Sequence, residues 1–86
     1  MVERRIKKIC MSAMESKFPE LIVKDFEVRR TFKFEYKTQD WVDDSYAIFI
    51  QIVSIDGYSF KDLFDVESYL VTLFGFEFCV DFFENY

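Results

Sequence analysis

The sequence predicts one α+β domain, residues 1–86, in which a sheet of three or four strands packs with two helices in the order α-β(-β)-β-α-β. Apolar residues recur at helical spacing in two segments, and they alternate with period two in the segments between and after these. Only two glycines and one proline interrupt the chain, and 51 % of its residues are apolar. A chain of this length can bury one modest core.

The first helix is predicted over residues 2–17. Its apolar residues form one stripe, which comprises Val2, Ile6, Ile9, Cys10, Ala13 and Met14. Pro19 ends the helix, because the residue before a proline avoids the helical conformation. Arg4, Arg5 and Lys8 lie near the N-terminus, where the helix macrodipole disfavours positive charge. Another part of the molecule is therefore expected to compensate them.

A long strand is predicted between Phe26 and Lys37. Its apolar face alternates with polar residues and comprises Phe26, Val28, Phe32, Phe34 and Tyr36. No glycine or asparagine interrupts it, so one long or bent strand is favoured over a tight hairpin. Arg30 would place a charge on the apolar face, and a bulge at Arg30 would remove it. A break at this point is the alternative.

The segment after this strand, residues 38–44 with sequence TQDWVDD, is predicted to be a polar loop. Residues 45–54 are apolar on both faces, which is typical of a central strand covered on each side. Asp56 and Gly57 then mark a turn.

The second helix is predicted over residues 60–74, with Ser59 and Asp62 capping its start and Gly75 following its end. Phe76 to Phe83 form the last strand, with phenylalanines turned inward and acids outward. If this strand lies parallel to the central strand, the second helix is their crossover and should be right-handed.

The sequence leaves open whether both helices cover the same face of the sheet. If they do, an apolar patch on the second face predicts a partner or a homodimer. The residues of that patch are Ala47, Phe49, Val53, Cys79 and Phe83. Cys10 and Cys79 both occupy apolar positions of their patterns, so both are predicted to be buried thiols in a reducing compartment. A single disulfide bridge or a functional thiol is the alternative.

Charge is distributed unevenly along the chain. Residues 1–39 carry ten Lys/Arg and six Asp/Glu, a net charge of +4, whereas residues 40–86 carry one lysine and ten acids, a net charge of −9. This asymmetry has two interpretations: the two halves neutralise each other in the fold, or one half meets a charged partner.

Several classes of function are disfavoured by composition. The chain has no histidine, which removes histidine-assisted nucleophiles and imidazole metal ligands. Two distant glycines build no phosphate-binding loop, and two cysteines alone build no zinc site. Asp40, Asp43 and Asp44 could hold Mg²⁺ or Ca²⁺, but solvated loop acids are the ordinary explanation. We therefore predict no enzyme, metal or cofactor.

The longest apolar run, YAIFIQIV, is strand length and too short to span a membrane. The N-terminal segment also lacks the uninterrupted apolar stretch of a secretory signal. The sequence therefore predicts a cytoplasmic protein without a membrane partner.

The leading functional prediction is a small acidic binding or inhibitor protein. Its negative surface would occupy a basic protein partner, for example a nuclease or another nucleic-acid-binding protein, by presenting charges spaced like phosphates, with Trp41 as an aromatic anchor. The predicted partner-binding residues are Asp40, Trp41, Asp43, Asp44, Asp62, Asp65, Glu67, Asp81 and Glu84.

Two alternatives remain at this stage. The first is a nucleic-acid-binding module that uses the basic residues of the first helix and strand, which are Arg4, Arg5, Lys8, Arg29, Arg30, Lys33 and Lys37. The second is a structural homo-oligomer that closes the second face of the sheet.

Overall fold

The computed structural model of the chain describes residues 2–83. Its elements follow the order α1 (Val2–Lys17), β1 (Val23–Glu35), β2 (Asp40–Val53), α2 (Phe60–Phe74) and β3 (Glu77–Phe83). The α+β class is thereby confirmed, and both helices span the predicted ranges. β1 is one long strand, as its uninterrupted alternation predicts.

The three strands lie in the order β1-β2-β3, so β2 is central. β1 is antiparallel to β2, and β3 is parallel to β2. Parallel neighbours need a crossover connection, and α2 supplies it. Ile48, Ile50 and Ile52 of β2 stand opposite Phe78, Val80 and Phe82 of β3, which places these apolar residues on one face of the sheet.

Both helices pack on that face. The buried cluster combines the three isoleucines of β2 with residues from both helices and from β3, namely Ile6, Cys10, Met14, Leu63, Val66, Leu70, Phe78 and Val80. No polar or charged side chain is buried within residues 2–83. The prediction that β2 is covered on each side is therefore wrong, since no helix of the described chain covers its second face.

This second face, the open sheet face, presents Ala47, Phe49, Gln51 and Val53 of β2 and the odd-numbered residues of β3. Two cations shield its rings: the Arg29 guanidinium carbon lies 4.8 Å from the Phe49 ring centroid, and Lys24 Nζ lies 5.3 Å from that of Phe83. Long basic side chains cover apolar surface while their charged ends stay in water. The open sheet face therefore exposes less apolar surface than its sequence suggests.

The predicted loop over residues 38–44 is wrong in most of its length, because β2 begins at Asp40 and the chain reverses over residues 36–39. The reason is a bulge. Thr31 stands opposite Ser45 and Phe32 opposite Asp43, so Asp44 is an extra residue in β2. It shifts the alternation by one position, and the segment around Trp41 consequently does not look like a strand in the sequence.

The bulge expected at Arg30 is also misplaced. Arg30 pairs regularly with Tyr46, and its charge stays on the helix-bearing side, where Arg30 Nε donates to Glu3 Oε1 of α1 at 3.1 Å. This bond and the charge of Glu3 raise the pKa of Arg30. The charge of Arg30 is thus paired with Glu3 at the edge of the helix layer, and β1 has no bulge at this position.

The two cysteines have different environments. Cys10 is buried in the core, and its burial raises the pKa of the thiol to about 11. Cys79 is exposed, so its predicted burial is wrong. An apolar residue type at an alternating position does not reveal which face of a strand the helices cover.

The predicted caps of α2 are present. The Asp62 carboxylate accepts the Ser59 backbone N–H at 2.6 Å and the Ser59 hydroxyl at 3.0 Å, and these bonds lower the pKa of Asp62. Gly75 adopts φ 76° and donates its N–H to the Val71 carbonyl at 2.8 Å. Neither helix of residues 2–83 has the length and apolarity to cross a membrane.

Candidate functional site

The β1–β2 hairpin extends past the helices at one end of the molecule. β1 has 13 residues and α1 has 16, which correspond to lengths of about 43 Å and about 24 Å at the usual rises per residue. The strands therefore outrun the helix layer by roughly six residues. The long axis of the molecule, 51 Å against 26 and 22 Å for the other two, reflects this overhang.

Two contacts mark where the helix layer ends. Arg30 bonds to Glu3 in the first turn of α1, and the Tyr46 ring packs against Phe76, just after α2, with centroids 5.6 Å apart. Arg30 and Tyr46 face each other in the sheet. Residues 31–45 lie beyond this level, and we call them the arm. The remainder of the described chain is the body.

The Asp44 bulge decides which side chains share a face of the arm. Because of it, Phe34 stands opposite Trp41 and Phe32 opposite Asp43. Phe34 packs edge-on against Trp41 and Tyr36, with centroid distances of 5.6 and 5.1 Å. Re-aiming a side chain in this way is a common role of bulges. These three rings and Phe32, which lies two residues before Phe34 on the same face of β1, are called the aromatic cluster of the arm.

The aromatic cluster is open to solvent. Its exposed fractions are 56 % for Phe32, 38 % for Phe34, 82 % for Tyr36 and 65 % for Trp41. Single exposed apolar residues are ordinary, whereas a contiguous aromatic patch marks an interaction site. The sequence pattern had assigned these phenylalanines to a core face, and only the comparison of strand length with helix length could have indicated otherwise.

Charged groups lie on both faces of the arm. The arm carries Lys33 and Lys37 against four acids, a net charge of −2. Lys33 Nζ lies 3.9 Å from Asp44 Oδ1, an exposed and loose pair. Asp40 accepts the backbone N–H of Trp41 at 2.8 Å, and Asp43 shares the face of Phe32. The arm therefore combines an aromatic cluster on one face with a predominantly acidic surface, of which Asp43 lies on the same face.

The predicted partner-binding residues fall into separate places. Asp40, Trp41, Asp43 and Asp44 are brought together on the arm. Asp62, Asp65 and Glu67 belong to α2, whose first residue, Phe60, packs against Phe82 at the end of the sheet opposite the arm. Asp81 lies on the open sheet face opposite Gln51. Glu84 lies outside the described residues.

The predicted nucleic-acid-binding residues are also dispersed. Arg4, Arg5 and Lys8 are exposed on α1. Arg29 and Arg30 point to opposite faces of the sheet, since Arg29 stacks on Phe49 and bonds to Glu27 at 2.9 Å while Arg30 reaches α1. Lys33 and Lys37 belong to the arm. These cations do not form one continuous track.

Among the described residues, the two halves of the chain hardly neutralise each other through close contacts. Of the ion pairs found within residues 2–83, only that between Lys33 and Asp44 joins a residue before position 40 to one after it. The same part of the chain contains no group of three or more Cys, Asp or Glu side chains arranged to hold a metal ion. Comparisons with protein-family models, with curated proteins and with solved structures found no match to the chain.

Proposed function

We propose that the chain is a non-enzymatic binding or inhibitor protein that holds a protein partner with its arm. The observation that carries this proposal is the aromatic cluster, four exposed rings gathered around Phe34 on a hairpin that projects beyond the helices. Tryptophan and tyrosine dominate binding energy at protein interfaces, because they bury a large area with little loss of side-chain freedom.

The architecture of the arm supports the same function. A two-stranded ribbon without a covering layer is only marginally stable, so a partner that covers the aromatic cluster supplies the missing layer. The proposed partner offers an apolar recess for Trp41 and Phe34. Burial of these two side chains accounts for most of the expected affinity.

The acids around the arm favour a basic rim on that partner. Asp43 shares the face of the aromatic cluster, Asp40 and Asp44 lie beside Trp41 and Asp43 in β2, and the whole chain has a net charge of −5. Complementary charge mainly accelerates the encounter and selects between partners. A nuclease or another nucleic-acid-binding protein presents basic groups around a groove and is the proposed class of partner. The remaining acids of α2 and β3 contribute a long-range field rather than contacts.

Direct binding of nucleic acid has weaker support. The candidate cations lie on both faces of the sheet, two of them are engaged by Glu3 and Glu27, and the arm is negative. A phosphate backbone requires several free cations along one path. A gel shift with DNA and RNA at low salt tests this alternative, and a retarded band would favour it over the protein partner.

The chain contains one tryptophan, and it lies in the proposed site. Affinity capture with the wild-type chain identifies a partner, and the emission of Trp41 then reports binding of the purified partner. We expect a blue shift and protection from acrylamide quenching, because an exposed indole becomes buried. Phe34→Ala should weaken binding at least about tenfold, as hot-spot truncations do. Higher salt should slow association.

Phe64→Ala is the matched control for this experiment. Phe64 is also an exposed phenylalanine, but it lies on α2 and its truncation should leave arm binding unchanged. Equal loss of binding in Phe34→Ala and Phe64→Ala, or a captured partner without basic surface, would contradict the proposal.

A further inference from the structure

The two outer edges of the sheet are built differently. β1 has an irregular register next to Lys24 and carries Lys24, Arg29, Arg30 and Lys33 along its length. Irregularities and basic side chains are devices that keep an exposed edge from pairing with another chain. β3 has neither: its register with β2 runs without a shift from Glu77 to Phe83, and this segment contains no lysine, arginine or proline.

Within the described chain, β3 has a hydrogen-bonded neighbour on one side only. Its composition, EFCVDFF, is rich in residues that favour strands. A regular edge of this kind offers unpaired N–H and C=O groups to a further strand. The free edge of β3 is thus the part of the sheet best suited to accept one.

The helix above this edge is also incompletely covered. Leu63, Val66 and Leu70 of α2 face the core, whereas a second stripe of α2 at spacing i, i+4, i+7 and i+11 consists of Phe60, Phe64, Glu67 and Val71. Phe60 is 64 % exposed and Phe64 69 %.

This stripe, the α2 flank, lies on the side of β3. The Phe60 ring is 5.3 Å from that of Phe82. At the other end of the helix, Glu67 and Val71 line an open cleft of about 390 Å³ together with Phe76 and Phe78. One further strand beside β3 would cover both the cleft and the flank.

We infer that the occupant of this edge is β3 of a second copy of the chain, paired antiparallel across a two-fold axis. The two sheets then form one continuous six-stranded sheet, and the α2 flanks of the two copies meet above the junction. A two-fold interface presents the same surface from both sides. The inference does not rest on the proposed function of the arm, because β3 and the arm involve different residues.

The available area is sufficient for a stable dimer. The exposed parts of Phe60 and Phe64 amount to roughly 250 Å² in each copy. Two copies therefore contribute roughly half of the approximately 1,000 Å² that a specific interface requires. Val71 and two paired edges of seven residues each supply the remainder.

Strand length and charge together select the register, because only a two-fold axis at Val80 pairs all seven residues of β3 with those of the second copy. Centring the axis on Cys79 would place Glu77 opposite the partner's Asp81, and centring it on Asp81 would place two aspartates opposite each other. Like charges directly opposite destabilise a strand pair. With the axis at Val80, Glu77 stands opposite the partner's Phe83, and Cys79 stands opposite the partner's Asp81. This register keeps every carboxylate of β3 away from a direct like-charge contact.

The exposed thiol of Cys79 provides a direct test of this arrangement. In the register centred on Val80, the two Cys79 side chains are diagonal neighbours about 7–8 Å apart, within reach of a short bismaleimide. Cys10 is buried and its thiol has a pKa of about 11, so it stays unreacted. We expect a dimeric mass in light scattering at micromolar concentration, and a cross-linked dimer that Cys79→Ser abolishes.

The double variant Phe60→Ala/Phe64→Ala should weaken the dimer at least about tenfold, because it removes two buried rings from each side. Both side chains are exposed in the single chain, so circular dichroism should show an unchanged fold. Phe32→Ala, which truncates an exposed ring of the arm, is the control and should leave the dimer intact.

A monomeric mass at high micromolar concentration would overturn the inference, even if β3 then accepted a strand from another protein. So would a dimer that Phe32→Ala disrupts while the α2 variant does not. Loss of partner capture with an intact dimer would count against the proposed function alone.

Discussion

The two ends of β2 have opposite environments although they belong to one strand. In the body, Ile48, Ile50 and Ile52 are at most 1 % exposed, whereas in the arm Trp41 is 65 % exposed. Both segments pair with β1. The difference arises because α1 and α2 cover the sheet only up to the level of Arg30 and Tyr46. Burial of a strand residue depends on the layer above it and not on its own pattern.

Because of this contrast, mutations in the body should affect the stability of the fold, and mutations in the arm should affect the binding of a partner. Core side chains of the body are enclosed between the sheet and both helices, so their removal leaves cavities. Side chains of the arm contact mainly each other and solvent, so their removal should affect a partner more than the fold. Substitutions in the body, in the arm and at the boundary between them should therefore differ in their effects.

The largest effect on stability is expected for Ile50→Ala. Ile50 is 1 % exposed, and truncating such a residue typically costs about 2–5 kcal/mol in the free energy of unfolding. Trp41→Ala, in the same strand, should cost less than about 1 kcal/mol. Urea unfolding followed by circular dichroism measures both. Similar losses for the two variants would show that the arm belongs to the cooperative core.

A smaller loss is expected for Gly75→Ala. Gly75 has φ 76°, and a methyl group there would meet no atom within 4 Å. The cost is therefore due to the left-handed backbone alone, about 1–2 kcal/mol. Thermal unfolding measures it, and Gly75→Asn should recover part of the loss because asparagine tolerates this conformation. A Gly75→Ala variant that unfolds at the same temperature as the wild type would contradict the left-handed conformation of Gly75 at the end of α2.

In the arm, Gln39 has φ 53°, so the opposite substitution, from a residue with a side chain to glycine, can be made there. Gln39→Gly relieves a conformation that most side chains disfavour. Because glycine also increases the freedom of the unfolded chain, the net gain should be below about 1 kcal/mol. Hydrogen exchange of the arm amides should slow while that of the α2 amides stays unchanged. Faster exchange in the arm would indicate that the turn at residues 36–39 differs from the one described.

The smallest effect on the free energy of unfolding is expected from a change of pH. Hydrogen bonds from Ser59 lower the pKa of Asp62 below its ordinary 3.8, and a backbone hydrogen bond together with Arg30 lowers that of Glu3 below 4.5. A lowered pKa in the folded state contributes stability above the ordinary value and loses it as the pH falls through the folded value. Stability should therefore decrease below about pH 4.

Asp62→Asn should flatten the acid branch of the curve of unfolding free energy against pH, and Glu3→Gln should do so to a lesser degree. Both groups are solvent-exposed, which keeps the effect small. An unchanged slope in Asp62→Asn would refute the capping contribution.

Much of the fold could be predicted from local patterns. The stripes of α1 and α2, the cap at Ser59 and the stop at Gly75 defined the helices, since helix ends depend on neighbouring residues. The alternation of β1 and the two apolar faces of β2 predicted a long strand and a central one. By contrast, the bulge at Asp44 changed the phase of β2 around Trp41, and a change of phase in one strand is visible only beside its neighbour.

The candidate site was predictable in part. Trp41 was identified as an aromatic anchor with Asp40, Asp43 and Asp44 around it, because these residues are adjacent in the sequence. Its companions Phe32 and Phe34 were assigned to a core, since alternation shows that two residues share a face but not whether anything covers that face.

The sequence by itself determined the segments, their caps, and which apolar residues share a face, because these depend on spacings of a few residues. Only the tertiary structure decided how far the helices reach along the sheet, which face they leave open, and that Cys79 and the aromatic cluster lie in solvent. These properties depend on distances between elements far apart in the chain. No local pattern records such distances, because each segment could be covered or left bare without changing its own residues.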